Sequence, residues 1–220
     1  MYMKSNLTYE EWYEKHKMKI FWSKFKMING LKDDGTEILQ ESLLWRKVAR
    51  TREACEKSDN PEYALKNAFY FDKQYFLEKW WNTFTRDEKE FYLIYVWGAK
   101  GDGNLYGFDW WLPYFNELGF ISNKDKMRPE KPIILYRAAE PYFARGMSWT
   151  DDINMALVFQ DRNHDLLGPR TVYKTTFYPE SILAIVEGSI VNLSYEQLSY
   201  GKEYVVNHND IEELKEVTLM

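Results

Sequence analysis

Apolar positions in the first 120 residues recur at three- and four-residue intervals. After about residue 132 they alternate or run together. The first pattern predicts helices and the second predicts strands. Residues 8–28 read as a helix opened by a capping box, Thr8 with Glu11. Residues 37–57 follow as a second helix with Leu39, Leu43, Leu44 and Val48 on one side. Pro61 after Asn60 marks another start, and the helical period then continues through Trp80. Thr85 with Glu88 gives a further capping box before "RDEKEFYLIYVWGAK". The end of that segment, Phe91 to Trp97, is so rich in aromatic and β-branched residues that it reads as helix or strand. "WWLPYFNELGF" is a short helix closed by Gly119.

The polar, Pro-bearing stretch 122–132 is the candidate boundary. Beyond it, "PIILYRA" reads as a strand and "DDINMALVFQDR" as a helix with Thr150 or Asp151 as N-cap. "RTVYKTTFY" alternates as a strand does, and "ESILAIVEG" is a strand or a short helix leading into one. "EYVVNH" is another short strand, and the end of the chain is a helix or strand. The organisation expected is a mostly helical region over 1–125 and an α+β region over 126–220.

Composition narrows the class. The chain has 220 residues, 45% hydrophobic and 29% charged, as ordinary globular proteins do. Aromatic residues reach 18%, enough to supply both core and stacking surfaces. Net charge is −5, which argues against wholesale attraction to nucleic acid. Residues 1–130 balance, so the acidic excess lies in 131–220. The single Cys55 excludes an intrachain disulfide and suits a reducing compartment. No apolar run is long enough for a membrane span, and the first residues lack a signal-peptide core, so a cytoplasmic protein is expected. His16, His164 and His208 form no pair at zinc-ligand spacing, and no metal is expected. "GAKGDGN" lacks the Gly-Lys-Ser/Thr of a phosphate loop and reads as a turn.

Candidate chemistry sits in the second region. Arg137 follows the apolar run "PIILY", and Ser148-Trp149-Thr150 stands eleven positions on, just after Gly146. Glu203 opens "EYVV". Arginine holds phosphate bidentately. Hydroxyls orient a ribose or a carboxylate, and a carboxylate beside a sugar steadies an oxocarbenium-like transition state. Taken singly, each residue has a plain explanation: a surface arginine, a strand edge, an exposed strand-start glutamate. Among rival carboxylates, Glu187 reads as a turn residue, Glu180 as a first-turn helix acid and Glu196 as solvated.

In order and context, "LYRAA", "GMSWTDDINMALVFQ", "TVYKTTFYPESILAIV" and "GKEYVV" resemble the blocks of the ADP-ribosyltransferase superfamily, in its Arg-Ser-Glu class. The resemblance covers roughly 132–208. It implies a small split-β-sheet core that binds NAD as substrate, with the helical part packed on it. It implies that Arg137 holds a diphosphate oxygen or ribose of NAD. Ser148 would orient the nicotinamide ribose and bond the Glu, Thr150 would support the turn, and Glu203 would stabilise the oxocarbenium. Trp149 and Phe159 would lie near the cofactor. Tyr195, Tyr200, Gly201 and Lys202, in the loop before the Glu, would contact the acceptor. Transfer of ADP-ribose to a protein or nucleic acid is the implied activity, as in toxins or phage effectors, and an inhibitory partner protein is a further expectation.

Two features depart from the class. The interval from Arg137 to Ser148 is short, and Gly201 stands where arginine-modifying members carry Glu or Gln. Water as acceptor, an NAD glycohydrolase, therefore stays open. So does a non-enzymatic interaction module built on the basic-aromatic stretch Lys15–Lys26.

Overall fold

The structure, a computed structural model, describes residues 7–16, 39–99, 106–161, 169–188 and 201–217. The chain divides into two compact units, Met1–Trp110 and Trp111–Met220. The helix "LPYFNEL" thus belongs to the second unit, some residues before the polar stretch at which the sequence pattern changes. Together the described residues form a mixed α+β protein with seven α-helices and one seven-stranded mixed sheet.

The first unit is helical: α1 (Tyr9–His16), α2 (Leu39–Ser58), α3 (Pro61–Asn67), α4 (Lys73–Trp80) and α5 (Arg86–Gly98). The Thr8–Glu11 capping bonds open α1, and the described part of that helix ends at His16. The expected continuation to residue 28, with the basic-aromatic stretch beyond Lys15, lies outside the described residues, as does "KGDGN". The Asn60 side chain accepts from the Tyr63 amide and starts α3 at Pro61.

The single helix expected from Pro61 to Trp80 is two helices. Ala68 leaves the helical backbone (ψ 148), and a turn closes with the Asp72 amide on the Phe69 carbonyl at 2.8 Å. The break buries Asp72 completely against Arg52, whose Nε and Nη2 each donate to its carboxylate at 3.0 Å. Lys73 is buried beside it and its Nζ donates to the carbonyls of Leu65 and Lys66, closing the C-terminus of α3. Thr85 and Glu88 form both halves of the capping box, and the aromatic segment to Trp97 is helix throughout.

Glu78 of α4 is the hub of this unit. Its Oε2 accepts from the indoles of Trp12 and Trp110, each at 2.9 Å, and lies 3.5 Å from His16. Burial alone would raise this carboxyl. The bonds from His16, Trp12 and Trp110 outweigh burial and hold it at about 2.

The second unit opens with α6 (Leu112–Leu118), stopped at Gly119 with φ +72, a left-handed value suited to glycine. Its strands are β1 (Ile121–Ser122), β2 (Ile133–Ala139), β3 (Ser148–Thr150), β4 (Thr171–Phe177), β5 (Ile182–Val186), β6 (Glu203–Val206) and β7 (Lys215–Glu216). α7 (Ile153–Asp161) lies between β3 and β4 in sequence. The sheet order is β1-β5-β6-β3-β2-β4-β7, parallel at β1–β5 and antiparallel elsewhere.

β5 reads "ILAIV" and all five residues are buried, as a strand covered on both faces requires. The core joins Leu135, Trp149, Phe177, Ile182, Tyr204 and Val206, with the Trp149 and Phe177 rings edge-on at 5.1 Å.

All seven strands share one ladder, but β2 and β3 meet through a single pair, Tyr136 with Thr150. By contrast, seven pairs join β2 to β4. The sheet therefore has a seam at its centre, and the candidate residues cluster there.

Candidate functional site at the sheet seam

Arg137 is the fifth residue of β2. The strand does not end with it but continues to Ala139. Alternation places Arg137 on the face of buried Leu135 and Ala139, where a charge must find acceptors. The chain supplies them from the β2–β3 connection. Arg137 Nε donates to the Phe143 carbonyl at 3.2 Å, and Nη1 donates to the Ser148 carbonyl at 2.8 Å.

The guanidinium lies flat against Gly146. A Cβ there would stand 2.5 Å from Nη2 and 2.6 Å from Cζ, so this backbone approach needs glycine. Gly146 is thus the bed of Arg137. Its carbonyl accepts from the Trp149 indole at 2.7 Å. Burial pulls the guanidinium down to about 10, with Glu203 opposing that shift and Arg170 adding to it. It stays charged at neutral pH.

β3 and β6 carry the other two corners. β3 begins with Ser148 and β6 begins with Glu203. Their register sets Ser148 opposite Val205 and Thr150 opposite Glu203. Directly opposed residues share a face, so Ser148, Thr150 and Glu203 line one side and Trp149 and Tyr204 the other. Ser148 and Glu203 are a diagonal pair, about 7–8 Å apart and within reach of a long side chain. Tyr136, Thr150, Glu203 and Val186 form a row across β2, β3, β6 and β5. Glu203 also acts on the Arg137 charge from this position. Ser148 and Glu203 therefore share one face at the seam, while Arg137, next to Tyr136 in β2, leaves the strand on the other face and reaches the Ser148 backbone carbonyl, near enough for Glu203 to act on its charge.

The remaining expected residues have varied places. Trp149 is 2% exposed and packed in the core, so its position on the face away from Ser148 is a structural one. The Thr150 hydroxyl accepts from the Asp152 amide at 3.2 Å. The N-cap of α7 is Asp152, neither Thr150 nor Asp151: its carboxylate accepts from the Asn154 amide at 2.8 Å. Phe159 is half-buried near the end of α7, and its carbonyl accepts from Arg170 Nη1 at 2.9 Å. Gly201 is exposed beside α7; a Cβ there would meet Met155 Cε at an ordinary 3.5 Å. Lys202 pairs with Asp151 at 2.8 Å. Tyr195 and Tyr200 lie outside the described residues.

Three further residues near the seam were not read as site residues from the sequence. Tyr136 enters through strand register alone. Arg170 enters through its charge near Arg137 and its bond to α7. Asp151 enters through its bonds to Lys202 and Tyr204. None of them carries a local pattern that separates it from ordinary surface residues.

Among the described residues, no group of three or more His, Cys, Asp or Glu could hold a metal ion, and no helix is long and apolar enough to cross a membrane. Compared with protein families, with curated proteins and with solved structures, the chain finds no match.

Proposed function

We propose that the second unit cleaves NAD and transfers its ADP-ribose to a macromolecular acceptor, a protein or a nucleic acid. The observation that supports this reading is the placing of Ser148 and Glu203 on one face of β3 and β6, with the Arg137 guanidinium bonded to the Ser148 backbone carbonyl beside them. These groups suit the substrate: a desolvated cation for the diphosphate, hydroxyls for a ribose, and a carboxylate for a sugar cation.

On this reading Arg137 attracts the diphosphate while the Phe143 and Ser148 carbonyls fix its plane. Ser148 orients the nicotinamide ribose. Glu203 accepts from a ribose hydroxyl and stabilises the positive charge that develops as the bond to nicotinamide breaks. A preorganised charge of this kind lowers the barrier by on the order of 3–4 kcal/mol.

Glu203→Gln should therefore fold as wild type and release nicotinamide about 10²–10³-fold more slowly. The measurement is nicotinamide release, with circular dichroism as the control for folding. Release at the wild-type rate by the variant would remove Glu203 from the role. The acceptor is read from labelled NAD offered with protein, RNA and DNA separately. Label entering a macromolecule supports transfer, and free ADP-ribose alone makes the protein a glycohydrolase.

A further inference from the structure

We propose that Asp151 is a positioning residue that holds the backbone of Glu203 in place from both sides, an inference that rests on the NAD-cleaving reading of the seam. Asp151 directly follows Thr150, the cross-strand partner of Glu203. Its Oδ2 accepts from Lys202 Nζ at 2.8 Å and from the Tyr204 hydroxyl at 2.9 Å. Lys202 and Tyr204 are the two chain neighbours of Glu203. Alternation turns both away from the face on which Glu203 stands. One carboxylate oxygen on the far side thus grips the residues before and after Glu203 and leaves its own side chain facing the seam.

The need for such a clasp follows from the sheet. β3 has three residues, and its only described ladder pair with β2 is Tyr136 with Thr150. Glu203 is the first residue of β6, where ladder bonds begin and a strand frays most easily. Lys202 lies 4.8 Å over the Tyr204 ring, so the two grips also brace each other. Burial pulls the Lys202 ammonium down, but its bonds to Asp151 and Tyr204 outweigh this and hold it above its ordinary value, in keeping with a standing ion pair. Lys202 is thereby engaged within the fold. An ion pair this exposed adds little to global stability. Its effect is local, on the placing of one strand end, where an ångström matters to a reacting bond.

The test uses the full-length protein with Asp151→Ala, Asp151→Asn and Tyr204→Phe. Nicotinamide release separates kcat from KM for NAD, and amide hydrogen exchange is followed over residues 201–206. The expected result for Asp151→Ala is a kcat at least tenfold lower, a KM within twofold of wild type, and faster exchange at 202–204 with the rest of the sheet unchanged. Asp151→Asn keeps an acceptor for Tyr204 and should recover part of the lost kcat. Tyr204→Phe should fall between Asp151→Asn and wild type. If wild type releases nicotinamide and Asp151→Ala matches it in kcat, or leaves exchange at 202–204 unchanged, the positioning role is wrong while the functional reading stands. A wild-type protein inert toward NAD overturns the functional reading itself, and the role with it.

Discussion

In the helical unit the buried acids join helix to helix. Arg52 of α2 meets Asp72 ahead of α4, and Glu78 of α4 gathers the indoles of Trp12 and Trp110. In the sheet unit the bonds that orient Arg137 go to the neutral carbonyls of Phe143 and Ser148. The difference is physical. A carboxylate facing a guanidinium at 3.0 Å cancels its field, so the Arg52–Asp72 pair serves the fold. Carbonyls fix the plane of a guanidinium without cancelling its charge, and Glu203 acts on the Arg137 charge as well.

The comparison can be broken most forcefully at Asp72. Asp72→Ala leaves the half-buried Arg52 guanidinium without its carboxylate and should destabilise the protein by about 3–5 kcal/mol. Chemical denaturation measures it, and a loss within a few tenths would mean that the pair does not hold the helices.

The next effect is acid sensitivity. Glu78 is held at about 2, below its ordinary 4.5, so its contribution to stability is fully present above pH 4.5 and is lost as pH falls towards 2. Denaturation midpoints measured from pH 5 to pH 2 should show this limb, on the order of 2–3 kcal/mol, and Glu78→Gln should flatten it. An unchanged limb in the variant would assign acid sensitivity to other carboxylates.

The smallest stability effect sharpens the other side of the comparison. Gly146→Ala places a methyl group 2.5 Å from Arg137 Nη2 and should cost about 1–3 kcal/mol as the guanidinium is pushed off its bed. Nicotinamide release should fall far more than stability does. Equal and modest losses in both would show that the plane of Arg137 is unimportant to the reaction.

Local chemistry was readable where it is self-contained. The Thr85–Glu88 box, the Asn60–Pro61 start and the Gly119 stop each satisfy backbone groups within a few residues, and each is formed. The break between α3 and α4 was not readable, because its cause is Arg52, twenty residues before Asp72. Lys73, buried against the end of α3, looks in sequence like any surface lysine. The cap of α7 was missed by one position, since Thr150, Asp151 and Asp152 are all competent and only the backbone geometry chooses Asp152.

For the candidate site, the sequence alone determined the residue types, their order and the strands that carry Arg137 and Glu203. It did so because alternation and apolar runs are properties of neighbouring residues. Only the tertiary structure decided that β3 lies beside β6, so that Glu203 faces Thr150, and that Arg137 lies against Gly146. It also decided that Asp151 meets both neighbours of Glu203. Strand pairing across some fifty residues is fixed by packing of the whole core, and a one-residue slip would turn Glu203 to the opposite face.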